Sequence, residues 1–216
     1  MSEQLNLSLF LVLITGVISY QAFENPAMRS RLMFVPDLVK RLGQYDRFLT
    51  SGFVHADWIH LLLNIYVLYE FGSIVELTFI SSFGELEGRI FYLLLYLGGI
   101  VISSVPSYIK HQDNRIYSAL GASGGVSGVV FALIFYAPWS TILLFFVIPI
   151  PFVIGGLLYL GYSDYMSRHG NDNIGHDAHF WGAVFGFLFT VSLAAAFRPD
   201  LIPRFWDLLI SAGSVL

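Results

Sequence analysis

The chain has 216 residues, of which 56% are hydrophobic and 12% charged, with a mean hydropathy of +0.70. Soluble domains carry about 25% charged residues, so a soluble globular enzyme is excluded, and the apolar content excludes disorder. Cys is absent, which removes disulfides, thiolate metal sites and a cysteine nucleophile, and a net charge of −4 without a polybasic run argues against nucleic acid as a partner.

What remains is an all-α integral membrane protein, in which each spanning helix needs about 20 mainly apolar residues. Six spans are predicted, at about 5–23, 57–80, 90–109, 118–137, 140–162 and 178–197. The first has no cationic flank and no small-residue cleavage pattern after it, so it reads as a helix and not as a signal peptide. After it, Asn25 to Arg47 mixes Arg29, Arg31, Lys40 and Arg41 with large apolar residues. That pattern predicts short amphipathic pieces at the interface, the second starting at Pro36-Asp37. Glu70 and Glu76 interrupt the second span and read as hydrogen-bonded or interface-level groups, with an ion path as the other reading. The uncharged run Ile116 to Ser163 is too long for one helix, and Ala137-Pro138-Trp139-Ser140 divides it into the fourth and fifth spans. Arg198-Pro199 stops the sixth, and Pro203 to Leu216 predicts a short interfacial helix. With no internal repeat or linker, a single domain over 1–216 is expected.

Six spans put both termini on one side. Arg29, Arg31, Lys40, Arg41, Arg47, Lys110, Arg115 and Arg168 fall on the opposite face, and only Arg89, Arg198 and Arg204 share the side of the termini. The positive-inside rule then places the termini outside.

Strongly polar groups inside membrane segments are costly and often functional. Three clusters stand out: His60 with Asn64, Ser123 with Ser127, and His176 with His179. Each lies at the N-terminal end of an even-numbered span. Spans 2, 4 and 6 run in the same direction, so all three clusters must share one membrane face and a similar depth. Residues four apart share a helix face. Gly124 and Gly128, and likewise Gly182 and Gly186, are therefore small-xxx-small pairs that let backbones approach in lipid and bring Ser123 near His179.

A serine beside a histidine is the nucleophile and general base of acyl transfer. His60, the Asn64 amide and the Ser123 backbone N–H supply donors for an oxyanion. Each element also has a plainer reading. Ser127 reads as a packing residue, and an isolated Ser123 would too. His176 and His179 have the spacing of metal ligands, but neither an HExxH motif nor a third ligand is evident. The coincidence of three clusters on one face favours chemistry.

These residues resemble the rhomboid family of intramembrane serine proteases. The resemblance runs from about Tyr45 to Phe197. Tyr45 to His55 leads into His60-Leu-Leu-Leu-Asn64, which looks like the family's HxxxN element. Gly121-Ala122-Ser123-Gly124 with Gly128 is similar to GxSGxxxG, and Ala178-His179 with Gly182 and Gly186 is similar to AHxxGxxxG. The resemblance implies a six-helix bundle with a partly membrane-embedded first loop. It implies Ser123 as nucleophile, His179 as base, and His60, Asn64 and Gly121 around the oxyanion and substrate. It further implies no metal or cofactor, transmembrane protein segments as substrates, a loosely packed fifth span beside the entry route, and a multi-pass location in a bacterial-type inner membrane with cytoplasmic termini. That orientation is preferred over the charge count, because charges in interfacial segments are a poor guide. Two positions depart from the family. The Trp-Arg pair is Tyr45-Asp46-Arg47, and the glycine often found eight residues after the serine is Phe131. Two other functions compete: a catalytically inactive, derlin-like client-binding protein, and a small transporter using Glu70, Glu76 and the histidines.

Overall fold

The computed structural model describes residues 6–144, 147–169 and 175–211. Ten helices and one two-stranded hairpin are found among them. The first helix, α1 (Leu7–Glu24), starts at Asn6, whose side chain accepts from the Leu9 N–H. Asn25 caps α2 (Pro26–Leu32) in the same way, with proline in the first turn, where its missing N–H is harmless. Next, α3 (Pro36–Leu42) begins at the expected proline and ends on Gly43, whose φ of 67° suits glycine. A single turn, α4 (Arg47–Thr50), and a 3-10 turn (Ser51–Phe53) complete the first loop.

The long helices follow. Asp57 caps α5 (Trp58–Phe83), and Gly84 alone joins it to α6 (Glu85–His111). A loop of 11 residues, 112–122, leads to α7 (Ser123–Tyr136). The strands β1 (Thr141–Leu144) and β2 (Ile148–Pro151) pair antiparallel and lead into α8 (Phe152–His169). Then come α9 (His176–Phe197) and α10 (Leu201–Ser211).

By length and composition, α1, α5, α6 and α9 are each able to cross a membrane, and α7 is a shorter apolar helix. At 14 residues, α7 is about 21 Å long, less than the ~30 Å hydrocarbon core. It is the centre of the bundle, packed by α5, α6, α8 and α9, and eleven of its fourteen residues are buried. A helix apolar on every side has no solvent face and belongs there.

Two expected helix starts differ. Helix α7 begins at Ser123 and not near 118, because Gly121 has a φ of 124°, which no helix contains. Residues 141–144 and 148–151 are paired antiparallel strands and not part of a helix from 140. Pro149 and Pro151 lack the N–H groups a helix needs. They occupy alternate positions, opposite Leu143 and Thr141, which leaves Ile148 and Ile150 to supply the ladder donors.

The two glutamates of α5 separate cleanly. Glu70 is exposed. Glu76 is buried and accepts from the Leu7 N–H at 3.0 Å, the Ser8 N–H at 2.9 Å, the Ser8 hydroxyl at 2.9 Å and Arg89 Nη1 at 3.0 Å. It thereby fastens the free N–H groups of the first turn of α1 to α5. At the same end of the bundle, where Phe79 meets Tyr136, Phe205 of α10 stacks on Phe135 with ring centroids 5.1 Å apart, and Trp206 and Ile210 are exposed.

Candidate active site

The site is built around the contact of α7 with α9. Gly182 lies against Gly124, so close that a Cβ on Gly182 would stand 2.7 Å from the Gly124 Cα. One turn on, a Cβ on Gly186 would stand 2.6 Å from the Gly128 carbonyl carbon. Those contacts are with backbone, so only glycine fits at either position. Ser123 precedes Gly124, and His179 lies one turn before Gly182. The first turns of the two helices are therefore adjacent, and they carry the serine and the histidine. Both residues are partly exposed.

The turn before Ser123 is held by the first loop. Phe34 and Ala119 exchange both backbone hydrogen bonds, at 2.8 and 2.9 Å, and the Gly121 N–H donates to the Ser51 carbonyl at 2.9 Å. The ring of His60 lies over Gly121, where a Cβ would come within 2.7 Å of Cε1 and 2.8 Å of Nε2. Gly121 is thus required twice, for its positive φ and for the space His60 occupies. Asn64 is buried one turn below, its amide donating to the His60 carbonyl at 2.9 Å. His60, Asn64, Gly121 and the start of α7 accordingly form one neighbourhood. Ser127 is elsewhere. It is buried, and its Oγ lies 2.7 Å from the Tyr159 hydroxyl.

Three residues without a role in the sequence reading organise this site. His55 is fully buried and accepts from the Ala122 N–H through Nε2 at 3.3 Å. Its Nδ1 lies 2.9 Å from the Ser19 hydroxyl, which donates to the Phe53 carbonyl at 2.9 Å. With that hydroxyl proton committed, Nδ1 must carry the ring proton and Nε2 must accept, so the imidazole is neutral. Burial, reinforced by neighbouring His60, pushes its pKa down to about 3. Arg47 is also buried, and its Nη1 donates to the carbonyls of Ser30 at 3.0 Å and Met33 at 2.6 Å. It folds the first loop around one guanidinium. Tyr159 of α8 stacks on His179, with centroids 5.9 Å apart and planes at 18°.

The cations of this face are largely engaged. Arg31 pairs with Asp46, Lys40 with Asp113, Arg41 with Asp37, Lys110 with Asp177 and Arg168 with Asp164. Such charges serve local structure, which weakens them as a guide to orientation. A cavity of about 380 Å³ lies near two of these pairs, lined by Lys110, Asp164, Arg168, Asp177 and Trp181. It is open and polar, and Ser123 and His179 do not line it.

A loop-borne turn and a glycine-packed helix pair that carry a serine and a histidine, within a bundle of helices able to cross a membrane, are the features of the rhomboid class. The chain matches the Rhomboid domain family over residues 42–196, and it belongs to that family. RHOMBOID-like protein 12, mitochondrial, of Arabidopsis thaliana is 30% identical over 176 residues, covering 77% of this chain and 52% of that protein. Presenilin-associated rhomboid-like protein A, mitochondrial, of Danio rerio is 35% identical over 141 residues, covering 63% and 34%. Rhomboid protease GluP of Bacillus subtilis is 26% identical over 175 residues, covering 79% and 31%. The chain spans about half or less of the length of these relatives.

Proposed function

We propose that this protein is an intramembrane serine endopeptidase that cleaves transmembrane segments of other membrane proteins. The observation that carries the reading is the α7–α9 glycine contact, which sets the turn of Ser123 against the turn of His179. In this reading the imidazole of His179 takes the Ser123 hydroxyl proton as Oγ attacks the scissile carbonyl. It then returns the proton to the leaving amine. The developing oxyanion receives hydrogen bonds from the Ser123 N–H, the His60 ring and the Asn64 amide. The unpaired N–H groups at the start of α7 add the favourable end of its dipole.

The proposal includes a single six-span domain, with α7 and α8 as the two spans beyond α1, α5, α6 and α9. The short α7 supports it, since a helix of that length begins below the membrane surface and lets the loop 112–122 carry water inward. The first loop, with α2 and α3, would lie partly in the membrane beside the site. Relatives named mitochondrial weigh against narrowing the location to a bacterial membrane, so the proposal is confined to an integral, multi-pass one.

A second reading is a non-catalytic client-binding protein: of the three relatives, only Rhomboid protease GluP carries an activity in its name. The test is cleavage of a transmembrane substrate by purified protein in liposomes. The protease reading expects Ser123→Ala and His179→Ala each to abolish cleavage. Client capture by wild type without cleavage would favour the second reading. The transporter reading loses support from Glu76, whose carboxylate is committed to the α1 terminus and Arg89.

A further inference from the structure

We infer that Tyr159 is a positioning residue for His179, and that through it the seat of α8 governs the competence of the Ser123–His179 pair. The inference rests on the protease reading. Tyr159 joins three helices. Its backbone belongs to α8, its ring lies parallel to and offset from that of His179 of α9, and its hydroxyl is 2.7 Å from Ser127 Oγ, one turn below Ser123 on α7. A second tyrosine–histidine contact, edge-on, sits one turn along. Tyr162 meets His176 edge-on at 5.7 Å, and His176 meets His179 edge-on at 5.7 Å. Tyrosines at i and i+3 on one face of α8 therefore hold histidines at i and i+3 on one face of α9.

The physical need is clear. A general base must present one ring nitrogen to the hydroxyl, and an imidazole is free to turn about its broad χ2. A flat aromatic contact fixes the ring plane, and the Tyr159 face also favours the imidazolium formed during attack. The tyrosine is itself fixed by its hydrogen bond to Ser127. Of the helices with 18 or more residues, α8 buries the smallest share, three of its 18. It follows a proline-bearing hairpin, and it packs mainly on α9 with a smaller contact on α7. It meets α5 where the rings of Phe71 and Phe152 stand edge to face at 5.6 Å. A displacement of α8 toward or away from α5 would carry the two tyrosines across the two histidines. Opening beside α8 and loss of the base's orientation are then one movement.

The test combines kinetics with an NMR signature of the stack. An aromatic ring parallel to an imidazole shifts its protons through the ring current, so the His179 ring resonances in detergent micelles should be displaced from their random-coil positions. Tyr159→Leu should abolish that displacement and lower kcat about 10- to 100-fold with KM within about twofold, and Tyr159→Phe should keep the displacement and most of kcat. Wild-type kcat in Tyr159→Leu, or unchanged His179 resonances in that variant, would overturn the inference. Absence of the displacement in the wild type overturns it with no variant needed, should the leucine protein fail to fold. A wild type that cleaves nothing, yet shows a displacement lost in Tyr159→Leu, overturns the protease reading while upholding the hold of Tyr159 on His179.

Discussion

Gly182 of α9 and Gly124 of α7 touch backbone to backbone, with no room between them for a single methyl group. The obstructing atoms are main chain, so a side chain at Gly182 or Gly186 forces the two helices apart. Overpacking of this kind costs about 1–3 kcal/mol. Gly182→Ala and Gly186→Ala are expected to lower the thermal unfolding midpoint in detergent and to weaken proteolysis by parting Ser123 from His179. Gly161→Ala is the contrasting case, because nothing lies within 4 Å of a Cβ there. In that helix interior it should stabilise by about 0.5–1 kcal/mol. Thermal scans of the three variants check both directions.

His55 predicts an acid-sensitive stability. Its pKa is about 3 in the folded protein and 6.5 in the unfolded chain, so the unfolded state takes up a proton first as pH falls. Stability from this residue is complete above about pH 6.5 and declines by about 1.4 kcal/mol per pH unit down to about pH 3. Asp46, held below the usual carboxylate range by Arg31, loses its contribution in the same direction but only below the ordinary aspartate pKa. Between about pH 6.5 and 4 Asp46 is therefore silent, and comparison with a His55 variant separates His55 from His111, whose pKa burial also lowers. The unfolding midpoint of His55→Gln should fall less steeply over that window than that of wild type.

Much of this arrangement was legible in the sequence, and the reason is scarcity. In an apolar chain, His60, Asn64, Ser123 and His179 are conspicuous, and helix parity alone places them on one face. The glycine pairs were readable because a four-residue spacing on a helix is a face. His55 was not, since a histidine at the end of an irregular loop has no periodicity to mark its direction. Tyr159 was hidden for another reason. The face a residue takes depends on where its helix begins, and the strand at 148–151 shifted that start to Phe152. Prolines at 149 and 151 signalled deformability but did not distinguish a bent helix from a strand.

Phe131 illustrates how a local departure is absorbed. It stands where a glycine was expected, and the space is supplied from the partner helix by Gly156. A Cβ on Gly156 would stand 2.5 Å from Ile134 Cδ1 and 3.3 Å from Phe131 Cζ. Gly156→Ala alone should change stability little, because the atom it meets most closely is the movable end of Ile134, and Phe131→Ala should cost about 3–5 kcal/mol through the cavity it leaves. The double variant should be less destabilised than the sum by about 0.5–3 kcal/mol, which a double-mutant cycle measures.

Glu76 makes four hydrogen bonds while buried in the bundle, so its loss takes the acceptor from two N–H groups of α1 and leaves Arg89 the more distant Glu85 at 3.6 Å. Glu76→Ala is expected to cost about 3–5 kcal/mol, as removal of one partner from a buried pair does. The catalytic rate per folded molecule should be unchanged, since Glu76 does not touch the site. Unfolding scans paired with active-site titration separate the two effects.

The central claim is that Ser123, and not Ser127, is the nucleophile of a working protease. Labelling by a fluorophosphonate probe in liposomes tests it most directly, on wild type, Ser123→Ala and Ser127→Ala. The account predicts labelling of wild type, none of Ser123→Ala, and retained labelling of Ser127→Ala. Undiminished labelling of Ser123→Ala would contradict it.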